Sequence, residues 1–383
     1  MEQQEAQKII KRQLVKRKAI PESLLNDPVL NEAISGLPTK YNFEIPKTIF
    51  RIRESKAKVV ALQFPEGLMV YSGGIADILH HFTNAEMIIM GDVTYGACCV
   101  DDLTARRLGA EFLVHYGHSC LVPITTTKLP MLYVFVEIKI DVKHIVDTIK
   151  FNIEKNQRIA ILGTIQFTAA INAVANELKD IYPDFIIPQR KPLSRGEVLG
   201  CTSPQIEDVD IIVFIADGRF HIESCMISNP HIKCLRYNPY DQEITHEEYD
   251  YSKMMSIRRS YILKASKAKK WGIILGTLGR QGNTIVMNQI VELLKKRNKE
   301  YIILLLSEIT PQKLALYSTI ESWVQLACPR LSIDWGMSFD TPFLTVYESY
   351  VALGEVEWKE EYPMDWYAND GGIWGNNSKK DLL

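Results

Sequence analysis

One local pattern occurs three times along this chain, and it constrains the fold more than any other feature. A short apolar run leads into a loop of small residues, an amphipathic stretch and a second apolar run, and a cysteine follows. The first pass has apolar runs at 58–62 and 87–90, a loop at 67–74 and a helical stretch through Leu79, and arrives at Cys98. The second has runs at 158–162 and 185–187, a loop at 163–168 and a helical stretch through Leu178, and arrives at Cys201. The third has runs at 271–275 and 301–306, a loop at 276–284 and a helical stretch through Leu294, and arrives at Cys328. Short apolar runs bounded by Gly or Pro suit strands buried on both faces of a parallel sheet. Their alternation with helices predicts α/β layers. In such sheets ligands bind beyond the carboxyl ends of the strands. The expectation is three similar Rossmann-like parallel-sheet domains around a pseudo-threefold axis, with each cysteine in a loop after a second strand and all three on one central ring.

The 383 residues suffice for several domains, and 46% hydrophobic with 23% charged residues supports substantial cores. The predicted divisions are a basic segment and helical lead-in at 1–56, α/β domains at 57–145, 146–262 and 263–350, and a tail at 351–383 that packs in part and then frays. The net charge of −2 argues against binding nucleic acid through bulk electrostatics. No apolar run approaches the about 18 residues of a membrane span. The N-terminal 20 residues are charged from Glu2 onward, unlike a signal peptide, and read as a peripheral basic helix in a cytoplasmic protein. A second basic run, Arg258, Arg259, Lys264, Lys267, Lys269 and Lys270, reads as a solvated helix face and linker.

The chain has seven cysteines, an odd number that predicts reduced thiols. Cys225 and Cys234 read as small core hydrophobes. No C-x-x-C pair occurs, which disfavours a zinc knuckle. Cys98, Cys201 and Cys328 stand roughly 100 and 130 residues apart, so only the fold can join them. Three dispersed thiolates suit an iron–sulfur cluster with one open iron. Cys99 competes with Cys98 for the first position, and spacing leaves that choice open. His115, His118 and Cys120 in HYGHSC could suggest a second metal, but histidines at a strand end or lining a pocket explain them as well, and no second metal is assigned. The loop GTLGRQGN at 276–283 matches neither a P-loop nor G-x-G-x-x-G, and reads as a tight turn before a helix. A carboxylate-bearing ligand near Arg280 is the sharper alternative.

Several longer stretches carry a resemblance: ALQFPEGL (61–68), GDVTYGACCVDD (91–102), LVHYGHSCLVP (113–123), GCTSP (200–204), CPRLSIDWG (328–336) and YPMDWYAND (362–370). With these motifs the chain resembles the diphthamide biosynthesis family, the 2-(3-amino-3-carboxypropyl)histidine synthases, and within it the catalytic subunit 1 of the eukaryotic type. The resemblance covers about residues 25–370. It implies three α/β domains, each donating one cysteine to a central [4Fe-4S] cluster, with Cys98, Cys201 and Cys328 as ligands and Cys98 preferred over Cys99. It further implies transfer of a 3-amino-3-carboxypropyl group from S-adenosylmethionine to the imidazole C2 of a histidine in elongation factor 2, by radical chemistry. The implied partners are a related second subunit, diphthamide biosynthesis protein 2, in a heterodimer, and an electron donor, diphthamide biosynthesis protein 3. His118, Arg280 and Gln281 are candidates for the cosubstrate pocket. The rival readings are a dehydratase like quinolinate synthase, with the open iron as Lewis acid, and a non-catalytic nucleotide-binding scaffold with buried cysteines.

Overall fold

The computed structural model describes residues 19–182 and 184–377, so the basic helix expected over the first residues lies outside them. Three four-stranded sheets form the body. In the first, Val59–Gln63 is central, flanked by Glu86–Ile89 on one side and by Phe112–Tyr116 and then Met131–Val134 on the other, all parallel. The third repeats this plan with Lys270–Gly276 central, Glu300–Leu306 on one side, and Ser322–Leu326 and Phe343–Leu344 on the other. In the second, Ile159–Gly163, Ile211–Ile215 and Lys233–Asn238 run parallel, and Glu243–Glu247 adds an antiparallel edge. The flanking strand expected at 185–187 is reduced to a single parallel bridge, Ile186 to Ala160. The first and third sheets are therefore ordered second, first, third, fourth in chain sequence, whereas the four strands of the second lie in simple chain order with the Ile186 bridge at its outer side.

The opening strands match their apolar patterns: all of Ile159–Gly163 is buried, as are Val60 to Gln63 and Trp271 to Gly276. The crossover helices are Ser72–Thr83, Thr168–Leu178 and Thr284–Lys296. In the last, Asn283 caps the N-terminus by accepting from the backbone N–H groups of Ile285 and Val286, and Ile290, Leu293 and Leu294 face the core. The lead-in helices Pro28–Ser35 and Ile45–Ser55 pack Leu30, Ile45, Ile49 and Ile52 into the core of the first sheet.

Three expectations need correction. The segment LSIDWG (331–336), a weak strand candidate by its apolar alternation, is no strand: Pro329 occupies the first turn of a helix, Pro329–Trp335, where its missing N–H costs nothing. The strand before it, Ser322–Leu326, is the third of its sheet, so Cys328 follows a third strand and not a second. Arg258 is not on a solvated face. It is fully buried in the helix Tyr251–Ala265, with Nε and Nη2 donating to both Glu348 oxygens at 2.7 and 2.6 Å. Its remaining donors reach the Ser332 and Phe343 carbonyls at 2.7 Å. A buried guanidinium needs this degree of saturation, because desolvation of an unpaired charge costs several kcal/mol. Arg259, Lys264, Lys267 and Lys269 are exposed as expected. The tail packs further than expected: Tyr362, Met364, Trp366, Tyr367 and Trp374 are all buried in the core of the third sheet.

Candidate metal centre

The three cysteines converge on one cavity of about 730 Å³ at the carboxyl ends of the sheets. Cys98, Cys201 and Cys328 all line it, and all are free thiols. The loops of Cys98 and Cys201 are fixed by contacts distant in sequence.

Cys98 lies in the loop after Glu86–Ile89. Gln63, at the end of the central strand, donates to the Cys99 carbonyl at 2.9 Å. The 276–283 loop grips the same turn from the third sheet. The Arg280 backbone N–H donates to the Cys98 carbonyl at 2.9 Å, and its guanidinium forms a two-pronged pair with Asp102 at 2.8 and 2.7 Å. Gly279, at φ +56°, lies so close to the Cys99 backbone that a Cβ would stand 2.5 Å from the Cys99 carbonyl carbon. Only glycine combines that φ with that approach. Gln281 Nε2 reaches the Cys98 and Cys99 sulfurs at 3.5 and 3.6 Å. The glycine loop thus braces a cysteine turn.

Cys201 is held by the tail. The Trp366 N–H donates to the Cys201 carbonyl at 3.2 Å, Ser203 N–H to the Met364 carbonyl at 2.9 Å, and Tyr367 N–H to Thr202 Oγ1 at 3.1 Å. Asp365 ties the tail to itself by accepting from Trp374 Nε1 at 2.8 Å and Gly372 N–H at 3.0 Å. Cys328 sits between its strand and the helix Pro329–Trp335, where Gln325 Nε2 donates to its carbonyl at 2.8 Å.

Burial raises the Cys201 thiol well above its usual value, with Cys328 and Cys98 adding to the shift. Burial and then Cys98 push Cys328 up to about 12, against the lowering effect of Arg330. Cys98 is raised by its contact with Cys99 and by burial, while Cys99, 3.9 Å away sulfur to sulfur, is lowered by the same contact. Three thiols that resist ionisation alone, gathered on one cavity, are a site that a bound cation completes. Among the described residues no three His, Cys, Asp or Glu side chains stand close enough to hold a single metal ion. The donor set is all-sulfur, which is the chemistry that suits an iron–sulfur cluster.

The other candidates fall in different places. Gln281 lines the cavity, whereas Arg280 and His118 do not. Burial lowers His118 to about 4, and its ring lies 5.4 Å from His115, whose Nδ1 is 2.9 Å from Gln63 Oε1. Cys225 and Cys234 are buried core side chains, and Cys120 is exposed. Lining residues not singled out from sequence include Phe220, His221, Arg330 and Tyr367. Arg330 pairs with Glu223 at 2.5 Å and Asp334 at 2.9 Å, donates to the Phe220 carbonyl at 2.7 Å, and lies 4.6 Å over the Phe220 ring. Burial and then the three cysteines raise the Tyr367 hydroxyl well above its usual value. The signal for Arg330 and Tyr367 was present in the motifs CPRLSIDWG and YPMDWYAND; which of their side chains faces the thiols emerges only from the packing.

Comparison with known proteins decides the family. The diphthamide synthesis protein family matches residues 64–363. The chain belongs to that family. It is 54% identical over 369 residues to 2-(3-amino-3-carboxypropyl)histidine synthase subunit 1 of Dictyostelium discoideum, covering 94% of this chain and 78% of that protein. The Homo sapiens protein of the same name is 50% identical over 366 residues, covering 94% and 83%. Among solved structures, Dph2 from Pyrococcus horikoshii, crystallised with a 4Fe-4S cluster, superposes with a TM-score of 0.72 at 27% identity, covering 85% of this chain and 94% of that one. The α/β architecture of parallel sheets is thus shared with that diphthamide synthesis family member, and the curated relatives are named as subunits of an enzyme.

Proposed function

We propose that this chain is the cluster-bearing subunit of a 2-(3-amino-3-carboxypropyl)histidine synthase. It would transfer the 3-amino-3-carboxypropyl group of S-adenosylmethionine to the imidazole C2 of a histidine in elongation factor 2. The observation that carries the reading is the meeting of Cys98, Cys201 and Cys328, from three sheets, on one cavity. Those three thiols would hold a [4Fe-4S] cluster. Such a cluster, when bound, would supply the electron that reductive cleavage of the sulfonium requires.

The chain's own residues do the rest. Gln281 fixes the Cys98 sulfur, and the tail holds Cys201 and closes the chamber with Tyr367. Arg330 lies on the lining with its charge met by Glu223 and Asp334, and it holds the wall by donating to the Phe220 carbonyl. His221, lowered to about 4 by burial and then by His118 and Arg330, is neutral near pH 7 and so does not repel a sulfonium. The name subunit 1 on the relatives implies a partner subunit, here the related diphthamide biosynthesis protein 2. Diphthamide biosynthesis protein 3 is the proposed electron donor and the cytoplasm the proposed site of action. Among the described residues no helix is long and apolar enough to cross a membrane.

The test is anaerobic purification with the partner subunit, iron and sulfide analysis, and then dithionite with S-adenosylmethionine. Methylthioadenosine is the expected product. Release of 5′-deoxyadenosine, or protein without iron from iron-replete cells, would overturn the proposal.

A further inference from the structure

The cavity opens to solvent through a rim that carries three large aromatic side chains, one from each sheet. Tyr95 comes from the loop after the second strand of the first sheet and is 73% exposed. Phe220 starts the helix Phe220–Ser228 of the second sheet and is 44% exposed. Trp335 ends the helix Pro329–Trp335 of the third sheet and is 63% exposed, with Met337 beside it in sequence at 60%. Side chains of this size left in water at a cavity mouth mark an interaction site, because covering them in a complex removes a large apolar area from solvent. Phe220 is firmly held: its ring lies under the Arg330 guanidinium and against Gly200, where a Cβ would come within 2.1 Å of it.

The lining carries more acid than base. Asp92, Glu308 and Asp334 lie there with Arg330, and Arg330 is already satisfied by Glu223 and Asp334. Asp92 has no cationic partner among the described residues. Glu308 pairs with Lys313 at 2.9 Å, but both are well exposed, so water and salt weaken that contact. Acids set among exposed aromatic faces suit a cationic ligand, which pairs with the carboxylates and stacks over the rings.

We propose that this rim is the docking surface for the acceptor protein, and that it takes an exposed loop whose histidine is flanked by lysine or arginine. The inference rests on the transfer reading above and deepens it. Tyr95, Phe220 and Trp335 cradle the loop, Asp92 and Glu308 meet its cations, and the histidine enters between the rings toward the three thiols.

The test uses the full chain assembled with its partner subunit. In the double variant Tyr95→Ala/Trp335→Ala, the KM for the acceptor protein rises about tenfold or more, since anchors of this type carry over 1 kcal/mol each. Turnover at saturating acceptor is retained, and Tyr95→Phe/Trp335→Phe restores most of the affinity. Asp92→Lys also raises the acceptor KM and flattens its dependence on salt. An acceptor KM within twofold of wild type in the double alanine variant overturns the proposal. So does dissociation of the two subunits in that variant, which assigns the rim to the partner subunit. Failure of the wild type to release methylthioadenosine would count against the transfer reading alone. Binding of purified acceptor to the same variants then still decides the rim.

Discussion

The loops that carry Cys98 and Cys201 differ from the turn that carries Cys328. The first two are long excursions after the second strand position of their sheets, braced by residues remote in sequence. Arg280 and Gly279 of the third sheet grip the Cys98 loop, and the 362–374 tail holds the Cys201 loop. Cys328 leaves the third strand of its sheet and enters a helix at once. That helix is anchored from beneath by Arg258, which donates to the Ser332 carbonyl inside the core. The centre is threefold in its sulfurs and not in its scaffold. Cys98 and Cys201 depend on contacts between sheets, whereas the Cys328 helix adds to its one such contact, Arg330 with Glu223 and the Phe220 carbonyl, an anchor in the core of its own sheet.

The largest effect expected from this arrangement comes from the thiols themselves. Cys98→Ala, Cys201→Ala and Cys328→Ala each bring bound iron to background and abolish labelling of the acceptor, while Cys225→Ala retains both. Iron analysis and acceptor labelling check this, and normal labelling by an iron-free cysteine variant would break the comparison.

Next is the core brace. Arg258→Met leaves Glu348 buried without its cation and costs about 3–5 kcal/mol. A thermal melt of the protein reads this as a fall in Tm, while Arg259→Ala, one position along on the exposed side, stays within about 0.5 kcal/mol.

The brace between sheets is weaker. Arg280→Ala removes a pair whose carboxylate is buried and whose guanidinium is partly exposed, and costs about 1–3 kcal/mol. The expected signature is local: Cys98 in iron-free protein reacts about tenfold faster with iodoacetamide, read by peptide mass spectrometry, while Cys328 is unchanged. Equal acceleration at both cysteines would show that the braces are not separate.

The smallest effect is on pH. Burial alone would raise the Asp102 carboxyl, but Arg280 and the Lys128 N–H outweigh it and the net shift is downward. Its contribution is therefore full above the unfolded carboxylate value of about 3.9 and is lost as pH falls through the lower folded value. Cys98 reactivity, corrected for thiolate fraction, is expected to be flat from pH 8 to about 5 and to rise only in stronger acid.

Much of this was legible in the chain. Strands buried on both faces announce themselves as apolar runs, so the three central strands and their crossover helices could be placed from the pattern. The convergence of the cysteines followed from the recurrence, and the family motifs at 91–102 and 328–336 carried the rest. What the pattern missed has one physical cause, long-range pairing. Nothing near Arg258 shows that its partner is Glu348, so a buried cation read as one more member of a solvated run. Arg280 likewise finds its carboxylate 178 positions away. Ser322–Leu326 was overlooked because Ser322 and Gln325, polar residues both buried in the sheet, break its apolar pattern. Pro329 then turned an apparent strand into a helix.

The tail has a consequence for the order of events in the cell. A ribosome makes residues 362–374 after every other part of the centre, yet they hold the Cys201 loop and supply the Tyr367 wall. A chain cut short before residue 362 keeps all three cysteines but loses the backbone bonds to Cys201 and Ser203, the Tyr367 N–H bond to Thr202 and the Tyr367 wall. On the proposed reading, a cluster would be kept securely only after the tail has left the ribosome and docked.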